Sequence, residues 1–173
     1  MNLPNKLTIF RIILVPFFVT CLLIEFPHNN IYATLLFVIA SLTDFLDGYI
    51  ARKNNLVTDF GKFADPIADK ILVISACICL VETGIIPAWS VLIIIFREFV
   101  ISGLRMSAAA KNVVIPADKL GKWKTFTQMI ALILLMLNTF NATYIPHILY
   151  YISVVLTAIS GIMYIIKAKN IIF

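Results

Sequence analysis

Residues 31–81 read IYATLLFVIASLTDFLDGYIARKNNLVTDFGKFADPIADKILVISACICLV. Two apolar runs flank a polar centre, and acidic residues intrude into both runs at their inner ends. The apolar runs have no strict alternation, so they are helical spans and not the roughly 10-residue alternating segments of a membrane barrel. A spanning helix needs about 20 mostly apolar residues. Five of the nine acidic residues of the chain lie between Asp44 and Asp69. Acidic side chains inside a span cost a few kcal/mol each on insertion scales, so their presence here calls for a function.

Working outward, the same pattern continues to both ends. The 173 residues are 61% hydrophobic and 13% charged, with mean hydropathy +0.99. A soluble domain has about 45–50% apolar and about 25% charged residues, which excludes a soluble globular protein and a disordered one. Apolar runs place spans at about residues 7–26, 31–51, 69–81, 87–105, 126–140 and 145–166. The expected fold is all-α: one polytopic membrane domain over residues 1–173 with six transmembrane helices. No small-residue cleavage site follows the first run, so it reads as a retained span. Residues 2–10 place Leu3, Leu7 and Phe10 at helical spacing, and read either as a short amphipathic interfacial helix or as the polar mouth of the first span.

The basic residues orient the bundle. Lys6, Arg11, Arg52, Lys53, Lys62, Lys70, Arg105, Lys111, Lys119, Lys122, Lys124, Lys167 and Lys169 all fall to one side. The connections at 26–30, 82–86 and 138–144 carry no Lys or Arg. The positive-inside rule makes the basic side cytoplasmic, and an even number of spans puts both termini there. The net charge of +5 is therefore read as topogenic, with no nucleic acid as partner. The fourteenth basic residue, Arg97, falls within the fourth span. Cys21, Cys77 and Cys79 sit in apolar runs without metal-type spacing, and read as packing residues.

Asp44 and Asp47, at i,i+3, share a helix face; Asp65 and Asp69, at i,i+4, share another. Asp44 lies seven residues before Ala51, about 10 Å from that helix end at 1.5 Å per residue. The four carboxylates thus belong to the cytoplasmic third of the membrane, on consecutive helices. Four negative charges at that depth require compensation. Hard oxygen donors without nearby His or Cys favour Mg²⁺, Mn²⁺ or Ca²⁺ over zinc, and Mg²⁺ typically completes its shell with substrate phosphates. Gly48, Ala51 and Gly61 leave a smooth strip beside the carboxylates, capped by Arg52. Pro66 is expected to kink or begin its helix at Asp65.

Read together, Asp44-x2-Asp47-Gly48-x2-Ala51-Arg52-x8-Gly61-x3-Asp65-x3-Asp69 resembles, at each of its positions, the signature of the CDP-alcohol phosphotransferase family. The stretch Asn2-Leu3-Pro4-Asn5-x-Leu7-Thr8-x2-Arg11 is similar to the opening of family members that use glycerol 3-phosphate. So are Arg97-Glu98 with Ile101-Ser102-x-Leu104-Arg105, and Lys122-x-Lys124-Thr125-x2-Gln128-Met129. The resemblance implies an enzyme of a bacterial cell membrane that moves the phosphatidyl group of CDP-diacylglycerol to glycerol 3-phosphate and releases CMP. It implies two Mg²⁺ or Mn²⁺ ions held by Asp44, Asp47, Asp65 and Asp69, with Asp69 also the general base. Gly48, Ala51, Arg52 and Gly61 would line the CDP pocket, and a homodimer is expected.

The acceptor's phosphate needs cations, for which Arg97, Arg105, Lys122 and Lys124 are the candidates. Two other readings stay open: a CDP-alcohol-type cardiolipin synthase that takes phosphatidylglycerol as acceptor, and a divalent-cation transporter. Against the transporter, the acids sit near one face and not at the midplane.

Overall fold

The computed structural model describes residues 3–53, 59–110, 119–137 and 144–172. Among these residues all regular structure is helical: α1 (Leu3–Leu23), α2 (Asn29–Lys53), α3 (Asp59–Glu82), α4 (Ala88–Ala110), α5 (Lys119–Leu137) and α6 (Ile145–Ile172). By length and composition, three stretches can cross a membrane: Asn5–Leu23, Leu120–Leu137 and Ile145–Lys169. The other three helices carry the intruding charges: Asp44 and Asp47 on α2, Asp65 and Asp69 on α3, Arg97, Glu98 and Arg105 on α4.

The chain forms two compact units, residues 1–85 with 136–141, and residues 86–135 with 142–173. In the first, α1 packs against both α2 and α3, which touch each other much less. Its inward stripe is Thr8, Arg11, Val15, Phe18 and Leu22, all buried, at the alternating three- and four-residue spacing of one helix face. On α2 the facing residues are Ala33, Phe37 and Ala40, with no exposed surface. Phe18 and Phe37 meet with ring centroids 5.7 Å apart. On α3, Ala64, Ala68, Leu72 and Ala76 are buried at every fourth position, small residues that let helices approach closely.

The start of α1 decides between the two readings of the amino-terminal stretch, and α3 and α5 start well before their apolar runs. α1 is continuous from Leu3, so the described part of the amino-terminal stretch is the mouth of the first helix and not a separate interfacial one. α3 begins at Asp59 and runs through Pro66 without interruption in its helical assignment. Pro66 cannot donate to the carbonyl one turn back, yet the buried face of Ala64, Ala68 and Leu72 continues across it. Packing of that face outweighs the local preference of the residue before proline. α5 begins at Lys119, about two turns before the apolar run that marks it in the sequence. Its first turns are basic but helical, and Lys124 and Gln128 point inward at 4% and 1% exposure.

In the second unit α4 packs along α6. The inner face of α6 is a ladder of small polar residues: Ser153, Thr157 and Ser160 are buried. Each hydroxyl donates to a carbonyl three or four residues earlier, at 2.7, 2.6 and 3.1 Å, so no polar group is left over. Ser90 and Tyr150 share a hydrogen bond of 2.8 Å between α4 and α6. The unit's outside is apolar: Leu92, Phe96, Phe99 and Ile162 are each at least 60% exposed. So much open hydrocarbon fits a membrane protein whose solvent on that face is lipid. Cys77 and Cys79 are buried and, like Cys21, unpaired with any other cysteine.

Candidate active site

The first unit's site is built where α1 lies across α2 and α3. Arg11 occupies the inward stripe of α1, and its side chain has no exposed surface. Its Nη1 atom is 2.6 Å from Asp44 Oδ1 of α2 and 2.5 Å from Asp69 Oδ1 of α3. One nitrogen thus draws together two carboxylates from different helices. Both carboxylates keep an open side, at 38% and 46% exposure. The arrangement is a buried cation beneath two half-exposed anions. Asp47, Gly48, Ala51 and Arg52 lie on the last two turns of α2, and Gly61 and Asp65 on the first two of α3; their side chains lie outside the described residues. Asp47 and Asp65 are three and four residues from Asp44 and Asp69 respectively.

Arg11 is a site residue that charge counting does not find. A basic residue eight positions into the first helix reads as topogenic. Its placement on the stripe of Thr8, Val15, Phe18 and Leu22 is the signal that marks it as inward-facing.

The second unit holds the mirror arrangement, one carboxylate oxygen shared by two cations. Glu98 Oε1 on α4 accepts from Lys124 Nζ of α5 at 2.5 Å and from Arg97 Nη1 at 3.0 Å. Arg97 Nη2 also donates to Ser160 Oγ of α6 at 3.3 Å. Two glycines make room for Arg97. A Cβ at Gly161 would stand 3.1 Å from Arg97 Cγ, and one at Gly121 would stand 3.4 Å from Arg97 Nη2. Arg97 Nε and Gln128 Nε2 are buried without an acceptor among the described residues. A buried donor left without an acceptor costs about 1–3 kcal/mol. Arg97 also borders an apolar groove of about 430 Å³ between α4 and α6, lined by Leu92, Phe96, Ile101, Ala158 and Ile162 among others.

Of the four cations expected for an acceptor phosphate, the structure joins Arg97 and Lys124 through Glu98. Arg105 instead donates from Nε to the Tyr164 hydroxyl at 3.2 Å, with its guanidinium 5.5 Å from that ring's centroid. Lys122 is exposed. Neither belongs to the Glu98 hydrogen-bond cluster.

Residues 1–159 match the model of the family described as CDP-alcohol phosphatidyltransferase. Three similar proteins bear the name CDP-diacylglycerol–glycerol-3-phosphate 3-phosphatidyltransferase. That of Bacillus subtilis (strain 168) is 43% identical, covering 96% of this chain and 94% of its own. That of Rickettsia bellii is 44% identical, covering 98% and 96%, and that of Haemophilus influenzae is 43% identical, covering 98% and 94%. A match of this length carries the aspartate signature, the Arg97–Glu98 pair and the Lys124–Gln128 face together, and the chain belongs to the CDP-alcohol phosphatidyltransferase family of enzymes.

Proposed function

We propose that this enzyme transfers the phosphatidyl group of CDP-diacylglycerol to glycerol 3-phosphate, forming phosphatidylglycerophosphate and CMP. The observation that carries the reading is the convergence of Asp44 and Asp69 on one guanidinium nitrogen. It brings two helices of the signature together with carboxylate oxygens still open to a ligand. The acceptor assignment draws on the names of the relatives and on the Arg97–Glu98–Lys124 cluster, which suits a small phosphate-bearing alcohol.

The carboxylate donors fit Mg²⁺ or Mn²⁺. Asp44 and Asp69 present hard oxygens that converge and are 38% and 46% exposed, donors suited to such ions. Asp44, Asp47, Asp65 and Asp69 are the residues that would hold two such ions, and Gly48, Ala51, Arg52 and Gly61 would line the pocket for CDP. Bound there, the ions would neutralise the diphosphate and stabilise the departing CMP. Arg97 and Lys124 bind the phosphate of the acceptor and orient its hydroxyl; Arg105 and Lys122 attract it from the cytoplasmic surface. The hydroxyl oxygen attacks the phosphorus of the phosphatidyl group, and the phosphoanhydride bond to CMP breaks. The hydroxyl proton passes to a carboxylate oxygen of Asp69, which is within reach only if the acceptor sits against the open side of that side chain.

The membrane arrangement belongs to the same proposal. Six spans with both termini cytoplasmic follow from the one-sided distribution of basic residues. One domain over residues 1–173 is supported by a family match that runs across both compact units. CDP-diacylglycerol then enters laterally from the inner leaflet and glycerol 3-phosphate from the cytoplasm, in a homodimer. An acceptor panel on the purified enzyme tests the reaction. Glycerol 3-phosphate should support CMP release, whereas phosphatidylglycerol, inositol phosphate and serine should not. Turnover with phosphatidylglycerol alone would make the enzyme a cardiolipin synthase, and cation flux without CMP release would make it a transporter.

A further inference from the structure

Arg11 does something that the reaction alone does not require. A single guanidinium nitrogen, Nη1, reaches both aspartates, at 2.6 and 2.5 Å. The cation is wholly buried while the carboxylates are 38% and 46% exposed, so it sits on their inner side and leaves the outer side open. A guanidinium buried without anions would be strongly unfavourable, and so would two facing carboxylates without a cation. The guanidinium therefore offsets part of the repulsion between the two carboxylates and leaves the group net negative, still attractive to a cation. The helix contacts point the same way: α2 and α3 touch little directly and meet mainly through α1.

We propose that Arg11 is a built-in counter-ion and positioning residue. It keeps Asp44 and Asp69 converged before any divalent ion binds, and as a fixed positive charge it holds the affinity for that ion down. A guanidinium cannot lose its charge in a protein, so the competition is permanent. The ion remains exchangeable with solution, and the empty site stays folded. This inference rests on the reading of Asp44 and Asp69 as metal ligands.

The test uses the purified full chain in detergent, with Mn²⁺ as the probe. Free Mn²⁺ is followed by electron paramagnetic resonance, and unfolding temperature is measured in EDTA and in excess Mn²⁺. Arg11→Gln should bind Mn²⁺ at least tenfold more tightly than the parent chain. It should be less stable in EDTA and regain most of that loss with Mn²⁺, whereas the parent shifts little. Arg11→Lys retains the charge on a shorter, more hydrated group, and should bind Mn²⁺ about threefold more tightly than the parent. If Arg11→Gln does not fold under either condition, Arg11→Lys decides. Parental or weaker Mn²⁺ affinity in the folded variants would overturn the proposal. A parent chain that binds no Mn²⁺ would remove both this inference and the metal reading. A parent that binds Mn²⁺ and releases CMP, beside variants of unchanged affinity, would remove this inference alone.

Discussion

Asp69 has two duties in this account, ligand and base, and both depend on its carboxylate. Asp69→Asn keeps the shape of the side chain and most of its hydrogen bonding but cannot accept the proton. Its rate of CMP release should fall by roughly 10²–10⁴-fold, the usual contribution of a positioned acid or base, measured at saturating acceptor. Near-parental turnover would assign the proton to another group. The cations can be separated in the same way. Arg97 is 13% exposed and hydrogen-bonded to Ser160 and Glu98, whereas Lys122 is exposed. Arg97→Met should raise the KM for glycerol 3-phosphate by about 10–100-fold, as the loss of about 1.5–3 kcal/mol of charged hydrogen bonding implies. Lys122→Ala should change it less than about threefold, since an exposed cation is screened by water and salt. Equal effects would dissolve the distinction drawn from burial.

At the scale of the helix, what the sequence reveals depends on whether a residue type is costly where it stands. Asp44, Asp47, Asp65 and Asp69 are conspicuous because carboxylates do not belong in spans, and their spacing assigns each pair to one face. Arg11 is inconspicuous because a basic residue near a helix mouth is ordinary. Its inward placement shows in its phase with Val15 and Phe18, as the placement of the candidate Lys124 shows in its phase with Gln128 and Ala131. The start of α3 is hidden for another reason. Pro66 signals a boundary locally, while the stripe Ala64–Ala68–Leu72 that carries the helix across it is a tertiary fact. Gly161 belongs to this scale too, because it sets how closely α6 approaches Arg97. Gly161→Ala places a methyl group 3.1 Å from Arg97 Cγ. It should cost about 1–3 kcal/mol of stability and raise the acceptor KM, as read from detergent-solubilised thermal unfolding beside kinetics. An unchanged KM would mean that Arg97 tolerates displacement.

For the whole molecule, the all-helical class was legible from hydropathy, and among the described residues three helices are apolar enough to cross a membrane. The other three carry charged residues proposed for the site, which lower their hydropathy. Labelling by a membrane-impermeant thiol reagent resolves the topology. Single cysteines placed at Gly84 and at Lys167 in a cysteine-free background should label oppositely in intact cells, Gly84→Cys from outside and Lys167→Cys only after permeabilisation. Labelling of both from outside would refute six spans with cytoplasmic termini. The central claim is that carboxylates gathered from α2 and α3 work with divalent ions on a CDP-linked lipid. The most direct measurement is the yield of CMP and phosphatidylglycerophosphate from CDP-diacylglycerol and glycerol 3-phosphate, in the parent chain and in Asp44→Asn, with Mg²⁺ and with EDTA. The account predicts equal amounts of the two products in the parent with Mg²⁺, and loss of both in EDTA and in Asp44→Asn. CMP formation that survives EDTA and the substitution would contradict it.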